Sequence, residues 1–162
     1  NNPLFFTGKM RYNEKDFPAG RDAGVRIMAI DYGDAHTGLA VSDATGLLVG
    51  YVEVVHSRRT GEVLAAVERL AAEYSVDEIV LGYPKNMDGS LGPRAEKAEA
   101  FAQELRGKVS LPVVLWDERR TTIDAHNILI SAGKNGKKRK KIVDGVAAAL
   151  ILEGYLTYKK GQ

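Results

Sequence analysis

The chain contains no cysteine, which excludes disulfide staples, cysteine-ligated zinc or iron–sulfur sites and thiol nucleophiles together. It has only three histidines, His36, His56 and His126, scattered in sequence and read as surface or capping residues. Aromatic residues make up 7% and do not interleave with the basic stretch from Lys134 to Lys141, so base stacking on an aromatic platform is not indicated. The longest apolar run, Val146 to Leu152, is far too short to span a bilayer. No charged-then-apolar leader opens the chain, and a soluble, cytoplasmic protein without membrane contact is expected. What is present is 44% apolar and 27% charged residues in a chain of 162, the composition and size of one folded domain.

The formal net charge of +2 conceals an asymmetry. Lys134, Lys137, Lys138, Arg139, Lys140 and Lys141 lie in one short stretch, which leaves 17 cations against 21 acids elsewhere. Such a cluster is a candidate footprint for a phosphate backbone, because displaced counterions favour binding at low salt. A solvated loop explains the same charges.

Residues 1–24 show no sustained hydrophobic period and read as a flexible tail, with the domain spanning 25–158. Three β-rich runs come first: Val25 to Asp31, Gly38 to Ser42 and Leu47 to Val55. Their connections, Asp34-Ala35-His36 and Asp43-Ala44-Thr45-Gly46, are short enough for an antiparallel meander. Val63, Leu64, Val67, Leu70 and Ala71 then mark a helix from Gly61 to Glu73 with Thr60 as its N-cap. Glu78 to Gly82 is a strand reached by a crossover, hence parallel to the first. Gly92-Pro93 opens a second helix that Gly107 stops, and Pro112 to Trp116 is a fifth strand. Thr121-x-x-Asp124 fits a capping box for a helix ending at Gly133, and after a basic loop Val143 to Tyr158 forms the last helix. These elements predict an α/β domain with a mixed five-stranded sheet, a three-strand antiparallel meander plus two parallel strands, and helices on both faces. That is the element order of the ribonuclease H-like fold.

Asp31 ends an apolar strand, where a buried carboxylate without a partner costs several kcal/mol. A turn-forming Asp before Tyr32-Gly33 is the plainer explanation. Asp117 and Glu118 follow the fifth strand, and alternation puts only one of them on Asp31's face. Each could instead pair with Arg119 or Arg120. Asp144 opens the last helix, where an acid is favoured by the helix dipole alone. Taken together, hard oxygen ligands from separate segments suit Mg²⁺ or Mn²⁺ better than zinc, and such ions support hydrolysis of a phosphodiester. The basic stretch just before Asp144 would hold nucleic acid over them.

Ile30-Asp31-Tyr32-Gly33 with Gly38-Leu39-Ala40, Gly82-Tyr83-Pro84-Lys85-Asn86-Met87-Asp88-Gly89-Ser90, Asp117-Glu118-Arg119-Arg120-Thr121-Thr122 and Val143-Asp144-Gly145 through Leu152 closely resemble the four signatures of the YqgF family, also called RuvX. The resemblance covers Arg26 to Leu156. It implies a ribonuclease H-like nuclease, described in that family as a Holliday junction resolvase and as the nuclease that matures precursor 16S ribosomal RNA ends. It also implies that Asp31, Glu118 and Asp144 hold the catalytic Mg²⁺ or Mn²⁺, with Asp117 a less certain fourth acid. The loop from Gly82 to Ser90 would lie beside the active site. From the residues themselves, Asn86 and Ser90 could contact phosphate, although Asp88-Gly89 is also an ordinary turn, and Arg119 and Arg120 could steady a phosphate or pair with nearby carboxylates.

Two other readings stand beside this one. Asp31-x-Gly33-x-x-x-x-Gly38 also resembles the phosphate-binding turn of sugar kinases and Hsp70-type ATPases, which use two such domains where this chain has room for one. A non-catalytic nucleic-acid or ribosome-associated module would keep the basic stretch but gain nothing from acids facing a phosphate backbone. Structured RNA and branched DNA both stand as candidate partners. Symmetric cutting of a junction would require a homodimer.

Overall fold

The computed structural model describes residues 24–117 and 136–161, and for 136–144 the backbone alone. Five strands form one sheet: β1 (Ile27–Asp31), β2 (His36–Ser42), β3 (Val49–His56), β4 (Glu78–Tyr83) and β5 (Val113–Asp117). Their order is β3-β2-β1-β4-β5. β1–β2 and β2–β3 pair antiparallel, whereas β4 runs parallel to β1 and β5 parallel to β4. The expected meander and crossover strands are therefore both present.

Alternation along the strands sorts the core into two layers. Met28, Ile30, Leu39, Val41, Tyr51, Val55, Ile79 and Leu81 face helices α1 (Thr60–Glu73) and α2 (Pro93–Lys108). Ile27, Ala29, Ala40, Val80 and Trp116 face α3 (Gly136–Lys160), which contributes Ala148, Ile151, Leu152, Tyr155 and Leu156. Small residues at 29, 40 and 148 let α3 lie close on the sheet. Trp116 fills the flank, edge-on to Tyr155 at 5.3 Å between ring centroids.

The helix ends depart from the expected chemistry. Gly107 does not stop α2, which runs through it to Lys108 with Val109 as its C-cap. Thr60 is not the N-cap of α1: Arg59 occupies that position in extended conformation with no side-chain cap bond. The Thr60 hydroxyl instead lies 3.3 Å from the Tyr32 hydroxyl. At the other end, Ser75 takes the left-handed conformation (φ 51°). The Val76 amide donates to Ala71 O and the Ser75 amide to Ala72 O, a Schellman closure built on serine where glycine is usual.

The last helix is longer than expected. Lys137 to Lys141 are not a loop: their backbone is the opening of α3, which starts at Gly136. Lys and Arg are good helix formers, so a cationic run can extend a helix that its apolar continuation anchors. The expected helix from Thr121 to Gly133, with Lys134 after it, lies outside the described residues. Among the described residues, no helix is long and apolar enough to cross a membrane.

Candidate active site

The direction of α3 decides which end of the sheet carries the site. Near its C-terminus, Tyr155 donates a hydrogen bond to Glu78, the first residue of β4, and Lys159 Nζ lies 3.5 Å from the other Glu78 oxygen. The helix thus runs antiparallel to β1 and β4, with its N-terminal end over the sheet edge where β1 finishes. Gly145 marks that passage. A Cβ there would sit 2.5 Å from Val52 Cγ1, so only glycine lets the helix cross β3 at this height. Asp144 precedes Gly145 in the same turn.

Asp31 occupies the end of β1, paired across the ladder with Gly38. By alternation it shares the face of Ile27 and Ala29, which is the face α3 covers. It is half-buried, and burial pushes its carboxyl pKa up, with the Arg94 guanidinium pulling the other way. Burial thus leaves this carboxyl poorly solvated, and Arg94 offsets the penalty only in part.

The turn after Asp31 is fixed from several directions. Tyr32 stacks on Phe101 of α2, with ring centroids 4.2 Å apart. A Cβ on Gly33 would meet the His36 carbonyl oxygen at 2.3 Å, so the tight β1–β2 connection requires glycine there. Buried Thr37 receives the Gly33 amide at 3.4 Å. Asp34 leaves this cluster for an exposed ion pair with Lys97 of α2 at 2.8 Å, and that hydrogen bond holds its carboxyl below the usual range. Neither Arg94 nor Lys97 stands out in the sequence. Their signal is the Gly92-Pro93 helix start, which aims the first two turns of α2 at this edge.

Asp117 ends β5 in register with Tyr83 of β4. Alternation puts it on the face of Val113 and Leu115, opposite that of Asp31. Glu118, Arg119 and Arg120 lie outside the described residues, as do the side chains of Asp144 and Lys137 to Lys141.

The segment after β4 is a compact turn. Lys85 and Leu91 form an antiparallel bridge. The Asn86 amide donates to Ser90 O at 2.9 Å and the Gly89 amide to Asn86 O at 2.8 Å, with Gly89 at φ 87°. Asp88 Oδ1 accepts from the Ser90 amide and hydroxyl at 2.9 and 2.6 Å, while Asn86 Nδ2 donates to Ser90 Oγ at 3.0 Å. These bonds hold Asn86 in the turn at the C-terminal edge of β4. Tyr83, just before it, donates to Glu99 of α2, and this bond pushes its phenol pKa up to about 12.

A family model described as RuvX, Holliday junction resolvase, matches residues 25–158. The chain belongs to the RuvX family. Among RuvX relatives, one from Halothermothrix orenii is 47% identical over 135 residues, covering 83% of this chain and 96% of its own. One from Geobacillus kaustophilus is 46% identical over 138 residues, covering 84% and 100%. Both bear the name "Putative pre-16S rRNA nuclease". Among solved structures, Thermus thermophilus RuvC is similar with a TM-score of 0.53 at 15% identity, over 83% of this chain and 96% of that one. At that identity the likeness is one of fold, and it agrees with the ribonuclease H-like strand order seen here.

Proposed function

We propose that this RuvX protein is a metal-dependent endonuclease that hydrolyses phosphodiester bonds in structured nucleic acid, with precursor 16S rRNA ends as its main substrate. One observation carries the reading: Asp31, desolvated at the end of β1, lies on the face and at the edge toward which α3 brings the turn containing Asp144.

Asp31, Glu118 and Asp144 would hold Mg²⁺ or Mn²⁺, which when bound neutralises charge on the scissile phosphate and makes a water acidic enough to attack. Asp31 is suited to this role because a bound cation would relieve the desolvation penalty that Arg94 offsets only in part. Glu118 is preferred to Asp117 because Asp117 falls on the opposite face of β5. Arg94, close enough to Asp31 to pull its pKa down, would steady a phosphate oxygen. Asn86 and Arg119 would contact the backbone on either side. Lys134 and the cations from Lys137 to Lys141 would hold the strand electrostatically, reading charge and shape without base identity. Attack at phosphorus with departure of the 3′-oxygen leaves a 5′-phosphate.

Precursor rRNA is preferred over a four-way junction because relatives matching nearly their whole length bear the rRNA nuclease name. The test is a side-by-side cleavage assay on a precursor 16S rRNA fragment and a synthetic four-way junction, with Mg²⁺, Mn²⁺ or chelator, together with sedimentation. Metal-dependent cleavage of the RNA is expected. Cleavage of the junction alone, by a dimer, would reverse the substrate assignment.

A further inference from the structure

Beside the carboxylate site, the sheet carries a second set of metal-type ligands. His36 opens β2 and His56 closes β3, and the two are direct partners in the antiparallel ladder. Both are exposed, and their Nδ1 atoms lie 2.7 Å apart with the rings edge-to-face. By alternation both stand on the sheet face of Ala40 and Val52, the face that Asp31 shares. They sit one and two strands from Asp31, at the same end of the sheet.

Two imidazole nitrogens at this separation share one proton, one ring donating and the other accepting. A tetrahedral ion of the zinc class bonds imidazole nitrogen at about 2.0–2.1 Å, which puts two such ligands about 3.3 Å apart. Opening the pair by about half an ångström therefore replaces the shared proton with a metal, and exposed side chains make that movement without disturbing the ladder. Among the described residues, the acids of the adjoining segments are engaged: Asp34 with Lys97, and Glu62 with Ser57 and Arg59.

We propose that His36 and His56 form a two-histidine chelate for a borderline-soft divalent cation of the zinc class, distinct from the oxygen-ligand site at Asp31 and selective against Mg²⁺ by ligand type. Its remaining coordination positions take water or a phosphate oxygen. The site stands on the ladder geometry and is independent of the nuclease reading.

Calorimetric titration of the full chain with Zn²⁺ in excess Mg²⁺ tests it, using wild type, His36→Gln, His56→Gln and Asp31→Asn. One ion per chain is expected in wild type and in Asp31→Asn. Either histidine variant should weaken binding about tenfold or more, since even outer partners of metal ligands are worth that much. Zinc binding that is unchanged in either histidine variant, or that is absent from wild type, overturns the proposal. Loss in Asp31→Asn alone would also overturn it by moving the ion to the carboxylates. Imidazole NMR on wild type gives a check without substitution: Zn²⁺ should shift the His36 and His56 ring signals together, and unmoved signals would overturn the assignment.

Discussion

Tyr155, near the end of the last helix, donates its hydroxyl to Glu78 at the start of β4. This one bond spans 77 residues of sequence and fixes the polarity of α3 against the sheet, which is what carries Asp144 to the edge where Asp31 sits. Tyr155→Phe should lower stability by about 1 kcal/mol, the net worth of a part-buried hydrogen bond, with Lys159 still holding Glu78. Urea denaturation of the purified protein measures this. An unchanged midpoint would mean that packing alone sets the helix.

The approach of α3 to β3 makes a sharper demand. Gly145→Ala places a methyl 2.5 Å from Val52 Cγ1. Alanine gains about 1 kcal/mol in helix propensity, but overpacking against a stiff β-branched side chain costs about 1–3 kcal/mol. Net destabilisation is expected, and the Gly145→Ala/Val52→Ala double variant should regain part of it. Chemical denaturation of both single variants and the double variant checks the coupling.

Glu53 is 1% exposed and accepts two hydrogen bonds from Arg69 Nη2, at 2.9 and 2.8 Å. Burial pushes its pKa up, and Arg69 opposes this. Arg69→Ala would strand a buried acid and cost about 3 kcal/mol, whereas adding Glu53→Gln should recover much of the loss. The pH dependence follows from the sign of the shift. A carboxyl raised above its ordinary 4.5 keeps its proton in the folded chain where the unfolded chain has lost it. Stability therefore falls as pH rises from that ordinary value through the folded one, then levels off. Thermal melts of wild type and Glu53→Gln across this window should converge at its acidic end and separate above it.

Charge on the opening turns of α3 should appear in salt dependence. Replacing Lys138 and Lys141 by Gln should weaken nucleic-acid binding at low salt. The slope of log K against log salt should become shallower by about 0.7–0.9 for each phosphate that the variant no longer neutralises. Fluorescence anisotropy at several salt concentrations reads the slope. An unchanged slope would assign the cluster to solvent.

The strands are legible in the sequence because each is a short apolar run between turn residues, and strand order follows from connection length. Asp31 stands out as an acid ending such a run. Glu53 does not, since Val52-Glu53-Val54 reads as an alternation with the acid facing water. Arg69, arriving on α1, and the Tyr51 hydroxyl make its burial tolerable. The histidine pair is equally hidden: His36 and His56 look scattered until the β2–β3 register sets them opposite each other. The start of α3 escapes a reading of apolar period because a run of cations carries none, although the backbone there is helical. Thr60 has the right residue type for a cap but a different partner, Tyr32.

Cleavage by Asp31→Asn is the most direct measurement. The substitution keeps the shape of the side chain and removes the charge that would hold a divalent cation. In Mg²⁺ or Mn²⁺, hydrolysis of the precursor 16S rRNA fragment should drop by about a thousandfold, equivalent to about 4 kcal/mol of barrier, while the RNA still binds. Wild-type cleavage rates in that variant would contradict the account.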